Sequence, residues 1–139
     1  MQVAKSIQNE ISKRLVTVQA LVAFKNAEPE FSYDEFQSFA GDIINDDASI
    51  LSLQFAPDGI VSYVTDVNRN AAAIGHNLLA DPERSKAALE SIKNETFLVV
   101  GPIDLIQGGV GLIARKPIFV PSELSQKQFW GFALSLIHI

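Results

Sequence analysis

A chain of 139 residues, 47% hydrophobic and 19% charged, has the make-up of one folded domain with its own core rather than of a disordered tail. Its net charge is −5, and its eleven Lys and Arg are scattered, adjacent only at Lys13-Arg14 and Arg115-Lys116. That argues against a nucleic-acid backbone as partner. With no cysteine there is no disulfide, no thiol nucleophile and no thiolate metal site.

The longest apolar runs, such as Phe97-Leu98-Val99-Val100, fall far short of the roughly 18 to 20 residues that span a membrane. Met1-Gln2-Val3-Ala4-Lys5 lacks the basic-then-apolar pattern of a signal peptide. The sequence stops on a strand pattern with no polar tail, so the expectation is a domain cut from a longer protein.

From Gln2 to Lys25 there is no Gly or Pro. Val3, Ile7, Ile11, Leu15, Val18 and Val22 recur in steps of four or three, with Leu21 and Phe24 broadening the far end. This spacing predicts a helix over 2–25, roughly 35 Å long. Its narrow N-terminal stripe is expected to pair with a second copy or with the rest of a parent protein, and its wider C-terminal half to pack on the domain. A helix lying wholly across its own sheet is the alternative. Ala27-Glu28-Pro29-Glu30 breaks the pattern. Ser32-x-x-Glu35 then reads as a capping box opening a second helix with Phe36, Phe39, Ala40 and Ile43 inward. Asn45-Asp46-Asp47 ends it, since acids are unfavourable at a helix C-terminus. A metal site from Asp42, Asp46 and Asp47 competes poorly with a solvated acidic turn.

Leu51, Leu53 and Phe55 alternate with Ser52 and Gln54, a half-buried strand. Ala56-Pro57-Asp58-Gly59 is a turn, and Ile60 to Asp66 the returning strand of a hairpin. A long connection over 67–80 leads to a third helix, with Asp81 as N-cap, Pro82 at its first position, Ala88, Leu89 and Ile92 inward and an end near Asn94. Strands are expected over 96–105 and 110–120 around a Gln107-Gly108-Gly109 turn, and a last strand after the 121–127 loop. Two hairpins flanking a helical crossover predict an α+β fold: a PAS-like five-stranded antiparallel sheet with flanking helices and the long N-terminal helix. It forms a single domain over 1–139, with its sheet core in 50–139.

Several stretches of the second half then carry a resemblance. They are Leu53-Gln54-Phe55-Ala56-Pro57-Asp58-Gly59-Ile60-Val61-Ser62-Tyr63, Ala73-Ile74-Gly75-His76-Asn77-Leu78-Leu79-Ala80-Asp81-Pro82, the run from Gly101 to Arg115 and Phe129-Trp130-Gly131-Phe132. In this order and spacing the chain resembles the CHASE family, extracytoplasmic sensory domains of histidine kinases and nucleotide cyclases. The resemblance implies a periplasmic sensor of an inner-membrane protein, with a transmembrane helix on each side and a histidine kinase or diguanylate cyclase output. In plant members that bind cytokinins, an acidic residue that anchors the hormone falls near Asn77, which offers an acceptor but no charge.

The residues themselves carry no catalytic constellation. His76 and His138 stand far apart, no serine has a Gly-x-Ser-x-Gly context, and His-Glu-x-x-His is absent. Gly101, Gly108, Gly109 and Gly111 lead into a strand rather than a helix N-terminus, so they read as a tight turn and not a phosphate loop. No enzyme activity, metal or cofactor is expected. The candidate ligand-binding residues are Tyr63, His76, Asn77, Asp104, Gln107, Gly109 and Arg115. Arg115 shares a strand face with Gly111 and Ile113; it either pairs with an acidic neighbour such as Asp104 or holds a ligand carboxylate or phosphate in its planar fork. Tyr63 is a core residue or a pocket wall. His76 and Asn77 lie in a loop that overhangs the sheet or faces solvent. Asp104 and Gln107 flank the hairpin turn, where small Gly109 lets a ligand approach the backbone. Trp130 reads as a core or rim anchor. The expectation is a sensor of an unknown small molecule, homodimeric through its first helix. The competing expectation is a ligand-free dimerisation or partner-sensing module.

Overall fold

The computed structural model describes residues 2–80, 82, 85–104, 109–123 and 127–138; the side chains of 2–8, 10 and 11 lie outside that description. Helix α1 (Gln2–Ala27) forms where the chain lacks Gly and Pro. Its packed seam is Arg14, Val18, Leu21 and Lys25, between 0 and 4% exposed, while Leu15 is 37% and Val16 69% exposed. The seam is thus turned by about one residue from the stripe that apolar spacing predicts. Two buried cations cause the turn. Arg14 donates to Asp47 Oδ2 at 2.6 Å and to Ser49 Oγ at 2.5 Å, tying α1 to the turn before the first strand. Lys25 Nζ donates to Pro29 O at 2.9 Å and lies 4.7 Å from the Trp130 ring centroid. Burial holds this ammonium below the ordinary lysine range, with nearby Glu30 opposing. The long stems of both residues cover apolar surface, so charge and packing are served together.

Helix α2 (Tyr33–Asn45) starts at the predicted capping box: Ser32 Oγ accepts from Glu35 N at 3.0 Å and Glu35 Oε1 accepts from Ser32 N at 2.8 Å. Phe36 and Ala40 are buried, with Phe39 and Ile43 packed beside them. From the same helix Tyr33 Oη and Gln37 Nε2 donate to Val64 O at 2.9 and 2.7 Å. These bonds occupy the open edge of the sheet, which protects it from pairing with another chain.

The sheet comprises β1 (Ile50–Pro57), β2 (Tyr63–Val64), β3 (Leu98–Asp104), β4 (Val110–Val120) and β5 (Gln128–His138), in the order β2-β1-β5-β4-β3. All neighbours are antiparallel, as the PAS-like reading requires. Asp58 and Gly59 both have positive φ, 57° and 84°, and Ile60 N donates to Pro57 O at 2.9 Å. That is the twist-matched hairpin turn favoured by Asp-Gly. The returning strand is shorter than the predicted 60–66. Past the turn, Val61 N donates to His76 O and Leu78 N to Gly59 O, so the chain pairs there with residues 75–78 instead of β1. Ile60 bridges Asn77.

Each face of the sheet is covered. One carries Leu53, Phe55, Ala114, Ile118 and Ala133 beneath α1 and α2. The other carries Ala56, Ile113, Phe132, Leu134 and Leu136 beneath residues 67–94. This second cover comprises α3 (Val67–Asn70), a 3₁₀ turn (Ala71–Ala73), an irregular segment and α4 (Ser85–Asn94). It contributes Ala73, Leu78 and Ala88 to the core. Helix α4 turns Ala88 and Ser91 inward and leaves Leu89 55% exposed, against the predicted inward Leu89. Leu89 is one residue, about 100° of helical rotation, from Ala88. The helix begins at Ser85, after the predicted Asp81 cap, which lies outside the described residues. Among the described residues no helix is long and apolar enough to cross a membrane, and no three metal-ligating side chains converge.

The Ser49 hydroxyl bonded to Asp47 Oδ1 at 2.6 Å, joined by Arg14, lowers the Asp47 carboxyl to about 2 against the cost of burial. Its stabilising effect is present above about pH 4 and is lost as pH falls toward about 2, since the unfolded carboxyl takes up its proton first. With solvent screening the effect is about 1–2 kcal/mol. Thermal melts between these limits should fall less steeply for Asp47→Asn than for wild type. At Gly59 an added Cβ meets Leu79 Cγ at 2.8 Å on a backbone with φ +84°. Gly59→Ala should cost about 1–3 kcal/mol and speed proteolysis within 71–80, with slower cleavage in α1 as control.

Candidate functional site

The antiparallel registers align side chains in rows across the sheet. One row on the face beneath residues 67–94 runs Val64, Gln54, Leu134, Arg115, Leu98, one residue from each strand. The next runs Ser52, Leu136, Ile113, Val100. Most of these positions are aliphatic, as a covered face demands. Ser52, Gln54 and Arg115 are not, yet they are 0, 2 and 1% exposed.

Arg115 is the charged member. Its alternation with Ile113, expected from period two, holds, and β4 turns the side chain under the cover. The guanidinium lies 5.8 Å from the Phe132 ring centroid, and α4 lies against the same strand. A guanidinium keeps its charge at every relevant pH and presents a planar fork of donors. Asp104, one expected neighbour, is not opposite it. Asp104 pairs with Val110 and Arg115 with Leu98, five residues along β4 and about 17 Å apart.

His76 and Asn77 lie in the segment that overhangs this face. His76 N donates to Ala73 O at 3.1 Å, its carbonyl accepts from Val61, and its Nε2 is shielded from solvent. Asn77 Oδ1 accepts from Leu79 N at 3.0 Å, a local turn bond that Asn forms readily. The half-buried carboxamide of Asn77 thus shapes the cover. These two residues and Arg115 belong to one side of the sheet.

The other candidates separate from them. Tyr63 pairs with Phe55 on the opposite face, its ring 4.9 Å from Phe31 and 5.5 Å from Tyr33. It is part of the aromatic core under α2. Asp104 and Gly109 sit, exposed, at one end of the β3–β4 hairpin; Gly109 has φ +81° and an added Cβ there meets His138 Nε2 at 3.4 Å. Gln107 lies outside the described residues.

Ser52, Gln54 and Asn70 escaped the sequence reading. Ser52 and Gln54 look like the wet side of an amphipathic strand, and nothing local signals that residues 67–94 fold over them. Asn70, last residue of α3, is fully buried, and its Nδ2 donates to Thr65 O at 2.7 Å and to Leu51 O at 3.5 Å. On the far side of the molecule, a groove of about 490 Å³ opens beside α1, lined in part by Val16, Thr17, Ile43, Asp46 and Ile50. The covered face holds charged and hydrogen-bonding groups, whereas the groove presents apolar surface beside an exposed helix.

The sequence matches the family model of the CHASE domain over residues 59–139, more than half of the chain. An extracellular ligand binding receptor from Desulfohalobium retbaense DSM5692 shares the fold, with a TM-score of 0.76 over 99% of this chain and 24% of that one, at 14% sequence identity. The chain therefore spans about a quarter of that receptor's length. No curated protein matches it. The family match, together with the five-stranded antiparallel sheet expected of a PAS-like fold, means that this chain belongs to the CHASE domain family, as an extracytoplasmic sensor domain.

Proposed function

We propose that the domain senses a small organic anion, a carboxylate or phosphate, held by Arg115 on the sheet face that the segment of His76 and Asn77 also covers. The observation that carries this reading is a permanently charged guanidinium, 1% exposed, on a sheet face covered by short helices and turns. Ligand entry requires that cover to shift, and the ligand selects between the two arrangements by its differential affinity. The parent is an inner-membrane receptor with a histidine kinase or diguanylate cyclase output, attached through segments flanking this chain. Arg14 and His138 support such a relay, because both bond to Ser49: Arg14 to its hydroxyl, the His138 amide to its carbonyl at 3.3 Å. Movement of β5 can therefore reach α1 through one residue. The name of the structural neighbour, a ligand binding receptor, agrees with this reading.

A second copy is the partner proposed for α1. Leu15 and Val16 are exposed on it beside the groove lined by Ile43 and Ile50, an arrangement suited to apolar pairing.

Thermal melting against small acids, amines and purines tests the ligand reading. A carboxylate or phosphate at a hundred times its Kd should stabilise the domain by about 2.7 kcal/mol. Arg115→Lys, which keeps the charge and loses the fork, should weaken it about tenfold or more. No melting shift with any compound defeats the reading. For the dimer, sedimentation should show Val16→Glu as monomeric under conditions where wild type associates; equal association of both refutes the α1 interface.

A further inference from the structure

The row that carries Arg115 also carries Gln54, and this second polar residue is poorly satisfied. A carboxamide offers two donors and an acceptor oxygen with two lone pairs, roughly four hydrogen bonds in all. Gln54 is 2% exposed, yet among the described residues it makes one, from Nε2 to Ser52 Oγ at a long 3.2 Å. Asn70 stands over the same part of β1. Its amide nitrogen is used on Leu51 O and Thr65 O, whereas its buried Oδ1 accepts no hydrogen bond among the described residues. A buried polar group left without a partner costs about 1–3 kcal/mol, so Asn70 Oδ1, beside a Gln54 that makes one long bond, lowers the stability of this patch. An apolar residue of similar shape at position 54 removes that cost, since its row neighbours Val64 and Leu134 are already aliphatic. Patches that keep an unmet polar capacity at the expense of stability are characteristic of sites whose partner comes from outside.

The chemistry of the unmet capacity defines what that partner offers. Asn70 Oδ1 requires a donor. The remaining Gln54 N–H requires an acceptor, and its oxygen a donor. A carboxylate alone meets only one of these needs and is repelled by the two amide oxygens. Two strand spacings separate Gln54 from Arg115, about 10 Å between Cα atoms, with Leu134 between them as an apolar floor. We propose that Ser52, Gln54 and Asn70 form a hydrogen-bonding subsite for an uncharged donor–acceptor group, a carboxamide or its equivalent, on a ligand whose anionic group lies at Arg115. The ligand class is then a short two-headed molecule: anion at one end, amide-like group at the other, aliphatic between. This inference rests on the sheet-face binding reading above and names what it selects.

Three probes separate its parts: the monoamide of glutarate carries both heads, pentanoate only the anion, and pentanamide only the amide. Calorimetric titration of the wild-type domain should give the glutarate monoamide at least tenfold tighter binding than pentanoate, with pentanamide weakest. Gln54→Met should abolish the preference for the monoamide over pentanoate and melt at or above the wild-type temperature. In wild type, the Gln54 side-chain amide resonances should shift with the monoamide and not with pentanoate. Should the methionine variant fail to fold, Gln54→Leu and the wild-type probe ratio carry the same test. A monoamide preference that is absent, or that survives in Gln54→Met, overturns the subsite while leaving anion binding intact. If none of the probes and no compound of the wider library binds, the sheet-face reading falls and the subsite with it.

Discussion

Strand β5 is the constraint on which the rest of the molecule depends. It has a strand on each edge and a cover on each face, and its residues from Gly131 to Ile137 are buried throughout. An antiparallel register permits no partial error here, because a slip of one residue exchanges its two faces. Gly131 shows how tightly the register is held: an added Cβ there stands 2.3 Å from Ala56 O, so only glycine lets β1 approach. With β5 fixed, Leu134 brings Gln54 and Arg115 into one row, and Ala133 and Ser135 form a shallow floor for α1.

The two covers are built differently, and the difference bears on signalling. The α1–α2 side combines a run of aromatic contacts, Phe24, Phe31, Phe36, Phe55, Tyr63 and Trp130, with cation anchors at both ends of the α1 seam. Such packing transmits displacement because it cannot absorb it. The opposite cover has short helices and turns, and its hold on the hairpin is a few backbone bonds between residues 59–61 and 75–78. Segments with few regular elements belong to the low end of the local-stability range, where ligand-responsive parts of proteins are found. A cover of short elements on one side and a tightly packed helix on the other, joined through one central strand, fit the sensing role proposed above.

Charge placement follows the same division. Arg14 and Lys25 are buried with short-range partners, Asp47 and Ser49 for the first and Pro29 O for the second, and they orient α1. Arg115 and Gln54 are buried on a face whose other positions are mostly apolar. The structural role of the first pair and the recognition role proposed for the second arise from location, since residue type alone does not distinguish one buried arginine from another.

Much of the backbone was legible in local patterns. The Ser32/Glu35 box, the Asp58-Gly59 turn, the span of β4 and the absence of helix breakers in α1 each follow from short-range stereochemistry, which needs no partner element. The family resemblance likewise lay in consecutive residues. What only the tertiary structure decided was which side of each element faces what. Ser52 and Gln54 read as solvent-facing until residues 67–94 cover them; Tyr63 and Arg115, two candidates for one site, fall on opposite faces; and the seam of α1 turns toward Arg14 and Lys25 because Asp47, Ser49, Pro29 and Trp130 lie where those long side chains reach. Periodicity records the hydrophobicity of an element, whereas burial is set by distant segments that loop closure brings over it. For that reason the fold was readable from the sequence, and the composition of the site was not.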